Sequence, residues 1–279
     1  MTQYRANTLS VPVVIQTERL KRLQRELEHA WSQTSRADLM AWGASCGTGF
    51  VSAAARRVKN VAHLAGSAAH FLNSERKVSY LAWKQDRLLL HLKNCSMTAG
   101  GAIRKSCTDV SVFSGRFAQA FKANPKEAGV HLLTVVVTSL VVSGGPDGNG
   151  GAPDLDLMFG IDAHRSFLSH SILMGAALET CILSLLAMIK VTHAKLPDEH
   201  DGLWDALHDQ AIKITHAASQ GVSIGMAYHL LVDGLIQPAP YHDLPISMPI
   251  AAHQSLFVVN GLGEAIDIGK KQNSVKEKL

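Results

Sequence analysis

An all-α fold is predicted by three features of this 279-residue sequence. Its apolar mass, 47% of residues, comes from Ala, Leu, Val, Ile and Met, and Ala, Leu and Met are strong helix formers. Aromatic residues are only 6%, too few for the aromatic-rich faces of a β-sandwich. Several charged stretches place their apolar residues at helical spacing. With 18% charged residues the chain is neither disordered nor fibrous, and its length suffices for a sizeable core.

Residues 14–30 open the pattern, with Thr17 as a cap and Leu20, Leu23 and Leu27 on one stripe among charges. Residues 36–72 are Ala-rich with scattered Gly and suit helices, as do 75–94. Gly100-Gly101 marks a loop within 95–110, and 111–123 suit a short helix. Asn124-Pro125 is a break. Residues 131–142 are apolar and β-branched, so helix and strand both remain open there. Then comes SGGPDGNGGAP (143–153), the most turn-rich stretch, of a kind that is often functional. A long apolar segment fills 167–191, and helices are expected over 203–219 and 221–236. Four prolines (Pro238, Pro240, Pro245 and Pro249) make 237–249 irregular, and 270–279 reads as a frayed tail.

Cys46, Cys95, Cys107 and Cys181 show no CxxC spacing, which argues against a disulfide framework or a thiolate zinc finger and fits a reducing compartment. The first twenty residues lack the continuous apolar core of a signal peptide, so a cytoplasmic location is expected. Residues 171–189 are long enough to cross a membrane, yet Glu179 at their centre costs about 2.5–3.5 kcal/mol in lipid. A buried core helix and a membrane-embedded one are both open.

Charge is divided unevenly. Residues 1–130 hold 19 Lys/Arg against 8 Asp/Glu, a net +11, while 131–279 hold 8 against 15, a net −7. The basic part suits a polyanion or an anionic membrane surface, and the acidic part suits cations. Docking of the two surfaces on each other is the plainer alternative. The run 56–59 (RRVK) and Arg104-Lys105 read as solvated faces.

Ten of the 14 histidines lie between 131 and 253. His229 and Asp233 are four apart on an expected helix, so they share a face and could bind one metal ion. They lie within an apolar run, where a lone Asp would be expensive. Asp154 and Asp156, at the end of the Gly-rich stretch, could turn toward one cation; a helix cap plus a solvated acid is the bland reading. His164 and His170 are six apart, about 600° on a helix, so they converge only if His164 lies in a loop. His131 opens its own apolar segment. His193, His200, His208 and His216 read as surface or helix-face residues, and His242 or His253 could complete a second metal site. Nitrogen and oxygen donors of this kind suit zinc, manganese or iron better than calcium.

The order GVHLL (129–133), PDLD (153–156), HRSFLSHSIL (164–173) and GMAYHLLVDGL (225–235) resembles that of the bacterial predicted membrane-bound, metal-dependent hydrolases. It is also distantly similar to zinc-dependent phospholipase C. The resemblance covers about 131–250; one interval is a residue longer than in that family, and Ser169 stands where the family usually has Thr. It implies His131, Asp154 or Asp156, His170, His229 and Asp233 as metal ligands, with His164 and Arg165 as catalytic-site residues; an Asp not fully committed to the metal, Asp154, is expected to take the proton. It further implies a divalent metal, zinc first and manganese or iron as alternatives. The expected organisation is a basic helical region (1–125) packed with a metal-dependent hydrolase domain (126–269). The expected activity is hydrolysis of a phosphodiester, in phospholipid or nucleic acid, by a metal-activated water near the inner membrane. A non-catalytic adaptor with a structural ion and a basic docking region is the rival expectation.

Overall fold

The structure is a computed structural model of the full chain and describes residues 17–85, 87, 118–119, 121–160, 164–237, 240–244 and 247–276. It is an all-helical bundle with no strand among these residues. The helices are α1 (Thr17–Ser32), α2 (Arg36–Lys84), α3 (Pro125–Ser143), α4 (Ile172–His193), α5 (Leu203–Leu235) and α6 (Ile250–Lys276). A short 3-10 turn, Pro153–Phe159, lies between α3 and α4. The expected Gly100-Gly101 loop, most of the expected 111–123 helix and Arg104-Lys105 fall outside the described residues.

Sequence and structure differ mainly in where helices stop. The Gly-bearing stretch 36–72 belongs to one helix running on to Lys84. Its 49 residues span about 74 Å. A single Gly costs a helix about 1 kcal/mol, too little to end one this rich in Ala. For the same reason 203–219 and 221–236 form one helix, with Gly221 inside it. Residues 131–142 are helical, launched by the Asn124 side chain, which accepts from Glu127 N at 3.2 Å, and by Pro125 in the first turn. The α6 helix has no counterpart in the sequence reading, and it extends through Lys276 where a frayed tail is expected.

The centre is α5, which packs against α3, α4 and α6; α2 lies along α4 and α6. Close approach of α3 depends on two glycines of α5. A Cβ at Gly221 would lie 2.8 Å from Val135 O, and one at Gly225 2.6 Å from Ser139 O. The core gathers Val142, Val222, Met226, Leu230, Tyr241 and Phe257. Burying each such side chain is worth about 1.5–3 kcal/mol.

Among the described residues of the basic half, α2 packs along α4 and α6. Arg57, expected in solvent, is fully buried. It pairs with Glu264 and with Glu179, each at 2.7 Å, while Arg56 reaches Glu179 at 2.9 Å. The two adjacent guanidiniums share Glu179 and Asp267, while Glu264 pairs with the fully buried Arg57. Glu179 therefore points inward from the middle of α4, while Leu183 and Leu185 face outward. Both α3 and α4 are long and apolar enough to cross a membrane.

Candidate metal centre

The site forms where α3 ends, α4 begins and α5 passes between them. Helix α3 terminates at Gly144, whose φ of 79° is left-handed. A Cβ there would collide with the Gly150 carbonyl, so the Gly-rich stretch folds back tightly on the helix end. This brings Gly150 N to within 2.5 Å of Asp154 Oδ2, on the 3-10 turn. Asp154 thereby presents Oδ1 to the interior. Asp156 lies on the same turn, with Oδ2 accepting from Ser166 N at 3.1 Å and from Ser169 Oγ.

His170 is fully buried just before α4, and its carbonyl accepts the Tyr241 hydroxyl at 2.7 Å. Its Nδ1 is 2.9 Å from Ser169 Oγ, and that hydroxyl donates on to Asp156. With Nδ1 holding the proton, Nε2 presents a lone pair 3.2 Å from Asp154 Oδ1 and 3.6 Å from Asp233 Oδ2. His229 repeats the arrangement from α5. Its Nδ1 donates to Ser143 O at 3.2 Å, and its Nε2 lies 3.3 Å from Asp233 Oδ2 and 3.7 Å from Asp154 Oδ1. Two imidazoles and two carboxylates thus converge, each imidazole oriented by an outer partner on its far nitrogen, as metal-ligating histidines are.

The electrostatics agree with strong convergence of opposite tendencies. Burial pushes the Asp154 carboxyl up, but His170, His229 and Gly150 N together hold it below its ordinary range. Burial likewise raises Asp156, and Ser169, Ser166 N and His164 outweigh it. At His229 burial opposes the charged form, and Asp233 and Asp154 more than offset it, raising the imidazole. Even so, His229 Nε2 and Asp233 Oδ2 are buried without a hydrogen-bond partner. Orphaned buried atoms of this type are costly, and a cation between them satisfies both. The residues present therefore fit a divalent ion bound by Asp154, His170, His229 and Asp233.

An adjoining group lies toward solvent. His164 Nδ1 is 3.3 Å from Asp156 Oδ1 and 3.5 Å from Asp154 Oδ1, and the His164 side chain is 24% exposed. His164 lies in a turn outside the helices, the condition for it to converge with His170; the two ring centroids are 5.5 Å apart. Asp156, His164 and His170 make a second triad of potential ligands that shares His170 with the triad Asp154, His170 and His229. Arg165 has a left-handed φ of 60°. Its Nη2 donates to Asp233 Oδ1 at 3.0 Å, while its buried Nε has no partner.

Of the expected residues, Asp154, Asp156, His164, Arg165, His170, His229 and Asp233 come together. His131 does not. It stands about 18 Å down α3 from Ser143, given twelve residues of rise, and pairs there with Gln220 Oε1 at 3.1 Å. His253 is also elsewhere, its Nδ1 accepting from Tyr241 N. The sequence reading missed Ser143 and Tyr241 as supports, since a backbone carbonyl or a distant hydroxyl leaves no local motif. Ser169 was visible only as a departure from a family pattern.

The chain matches no protein-family profile, no curated protein and no solved structure.

Proposed function

We propose that this chain is a divalent-metal-dependent hydrolase of phosphodiesters, with a phospholipid as the substrate class. The observation that carries the reading is the convergence of His170 Nε2 and His229 Nε2 on Asp154 and Asp233, with two of those buried atoms lacking any other partner. A borderline ion such as zinc suits this donor set, with manganese or iron as alternatives. When bound, it would supply Lewis acidity toward a phosphoryl oxygen and a water of lowered pKa.

The protein's own groups divide the remaining work. Arg165 offers its spare Nε–H to a phosphoryl oxygen, where a guanidinium offsets developing negative charge. Both oxygens of Asp154 are engaged, so His164, at the open side, is the better placed group to accept and return a proton. Asp156 Oδ1 orients it. The substrate class follows from the turn that carries the acids. Met158 and Phe159 on that turn are 82% and 87% exposed, and Leu168, two residues before His170, is exposed as well. An apolar rim beside an anion-seeking centre suits an amphiphile at a membrane surface better than a nucleic acid. Leu133, Val137 and Val141 are exposed on one face of α3 as well.

The near-complete burial of His170, His229 and Asp233 favours a second reading, a structural ion that holds α3, α4 and α5 together. Elemental analysis of protein purified without chelator, followed by assay against bis(p-nitrophenyl) phosphate and phospholipid vesicles, separates the two. Bound zinc, manganese or iron with turnover supports the hydrolase; a bound ion without turnover supports the structural reading; absence of any ion, with none taken up on addition, overturns both.

A further inference from the structure

We propose a second divalent-metal site at the junction of α4 and α5, built from His193, His200 and Asp205. It is independent of the centre above, since His193 ends α4 about 33 Å from Ser171 at that helix's start. His193 is the last residue of α4, His200 lies in the connecting loop, and Asp205 is in the first turn of α5. Their ligand atoms all lie within 4.8 Å of one another. His193 Nε2 is 2.8 Å and His200 Nε2 3.1 Å from one oxygen, Asp205 Oδ1.

Hydrogen-bond bookkeeping shows why a cation fits. His200 Nδ1 is 2.7 Å from Pro197 O. A carbonyl only accepts, so Nδ1 carries the proton. The neutral ring then presents a lone pair at Nε2 to a carboxylate oxygen that has only lone pairs. Either a second proton or a metal ion must resolve that contact. His193 meets the same oxygen, and His208 stacks on His193 with centroids 4.5 Å apart and planes 20° apart. Parallel stacking suits neutral imidazoles and opposes a pair of imidazolium rings. One ion satisfies both Nε2 atoms and the shared oxygen while leaving the rings neutral.

Two imidazoles and a carboxylate select a zinc-like ion over calcium or magnesium. The group is reachable, as the Asp205 side chain is 60% exposed. Its location gives it a use. The same loop receives α1: Asp201 pairs with Arg19 at 2.7 Å, and Glu26 accepts from Asp201 N and from Trp204 Nε1. An ion at His193, His200 and Asp205 would therefore fix the platform on which the N-terminal helix docks.

Zinc binding by competition with a chromophoric chelator tests this on the full chain, with His200→Ala and Asp205→Asn beside the parent. Asp233→Asn is measured in parallel to mark the other centre. The site predicts that both junction variants lose one zinc ion, or bind it on the order of tenfold more weakly or worse, while Asp233→Asn keeps it. Asp205→Asn is nearly isosteric and exposed, so it remains informative if His200→Ala fails to fold. Parent-like zinc stoichiometry and affinity in Asp205→Asn would overturn the proposal and leave a His–Asp ion pair.

Discussion

His170 and His229 stand with ring centroids 5.2 Å apart and planes 53° apart, and each turns Nε2 toward Asp154 Oδ1. They come from different elements, and different partners set their tautomers. His170 is held by the Ser169 hydroxyl, His229 by the Ser143 carbonyl. A focus assembled in this way depends on every support, which makes its members separable by mutation.

Asp233→Asn removes a ligand charge while preserving shape. Asp233 also receives Arg165, so the substitution removes the charge of that ion pair as well while leaving an oxygen to accept the hydrogen bond. The expected outcome is loss of the bound ion and of phosphodiester hydrolysis, with far-UV circular dichroism unchanged. Full retained activity would remove Asp233 from the site.

Ser169→Ala tests an outer support. The hydroxyl joins His170 Nδ1 to Asp156, and without it that nitrogen keeps only the longer approach to Asp156 Oδ2, 3.3 Å. Metal affinity should fall about 10–100-fold, the usual cost of losing such a partner. Serine-to-threonine exchange keeps the hydroxyl and should restore most of it. An isotherm for Ser169→Ala that overlays the parent's would show the hydroxyl to be idle.

The site was more legible in the sequence than the helix boundaries were. Asp154, Asp156, His164, Arg165, His170, His229 and Asp233 could be read because short motifs carry them, and one helical turn fixes the His229–Asp233 pair. His131 failed because a motif's order says nothing about where along a helix its residue falls. Taken singly, the α4–α5 histidines read as surface residues, since the loop that gathers them is folded by tertiary contacts. Arg57 was assigned to solvent because a run of basic residues gives no hint of three acids on α4 and α6. Glycine-bearing helices were cut too short, as propensity ignores the packing that holds Gly221 and Gly225 against α3.

That packing supports a third prediction. Gly225 lies one turn before His229, and a Cβ there would press on Ser139 O and on Val142. Gly225→Ala should push α3 away and carry the Ser143 carbonyl off His229. The expected cost is about 1–3 kcal/mol in denaturant unfolding, the range for overpacking, together with weaker metal binding. An unchanged midpoint would mean that α3 yields without strain.

Acid should release α1 before the bundle unfolds. Hydrogen bonds from Arg19 and from Leu203 N hold the Asp201 carboxyl down to about 2. For Glu26 burial acts upward, and Arg22, Asp201 N and Trp204 outweigh it, so it too is depressed. A depressed carboxylate stabilises the docked state above its ordinary pKa, and that contribution fades as pH falls toward the depressed value. Hydrogen exchange over Thr17–Ser32 should therefore accelerate progressively from about pH 4 to about pH 2 relative to α5. Parallel behaviour of the two helices would show that α1 and the core form one cooperative unit.

The buried charges offer the sharpest contrast between breaking a network and lacking one. Arg57 has no exposure, and its guanidinium meets Glu264, Glu179 and, at 3.5 Å, Asp267. Glu264 is fitted against α4 at Gly175, where a Cβ would collide with its carboxylate. Removing the guanidinium alone leaves Arg56 to serve Glu179 and Asp267 and takes the Arg57 cation from buried Glu264. Arg57→Met should thus cost about 3–5 kcal/mol, although the thioether chain fills much of the volume. Adding Glu264→Met to Arg57→Met removes one stranded charge and should recover part of that loss. Urea unfolding of the parent, both single variants and the double variant closes the cycle. If the two single losses simply add, the Arg57–Glu264 pair contributes nothing to holding α2 against α6. A double variant more stable than Arg57→Met alone locates the cost in the uncompensated carboxylate.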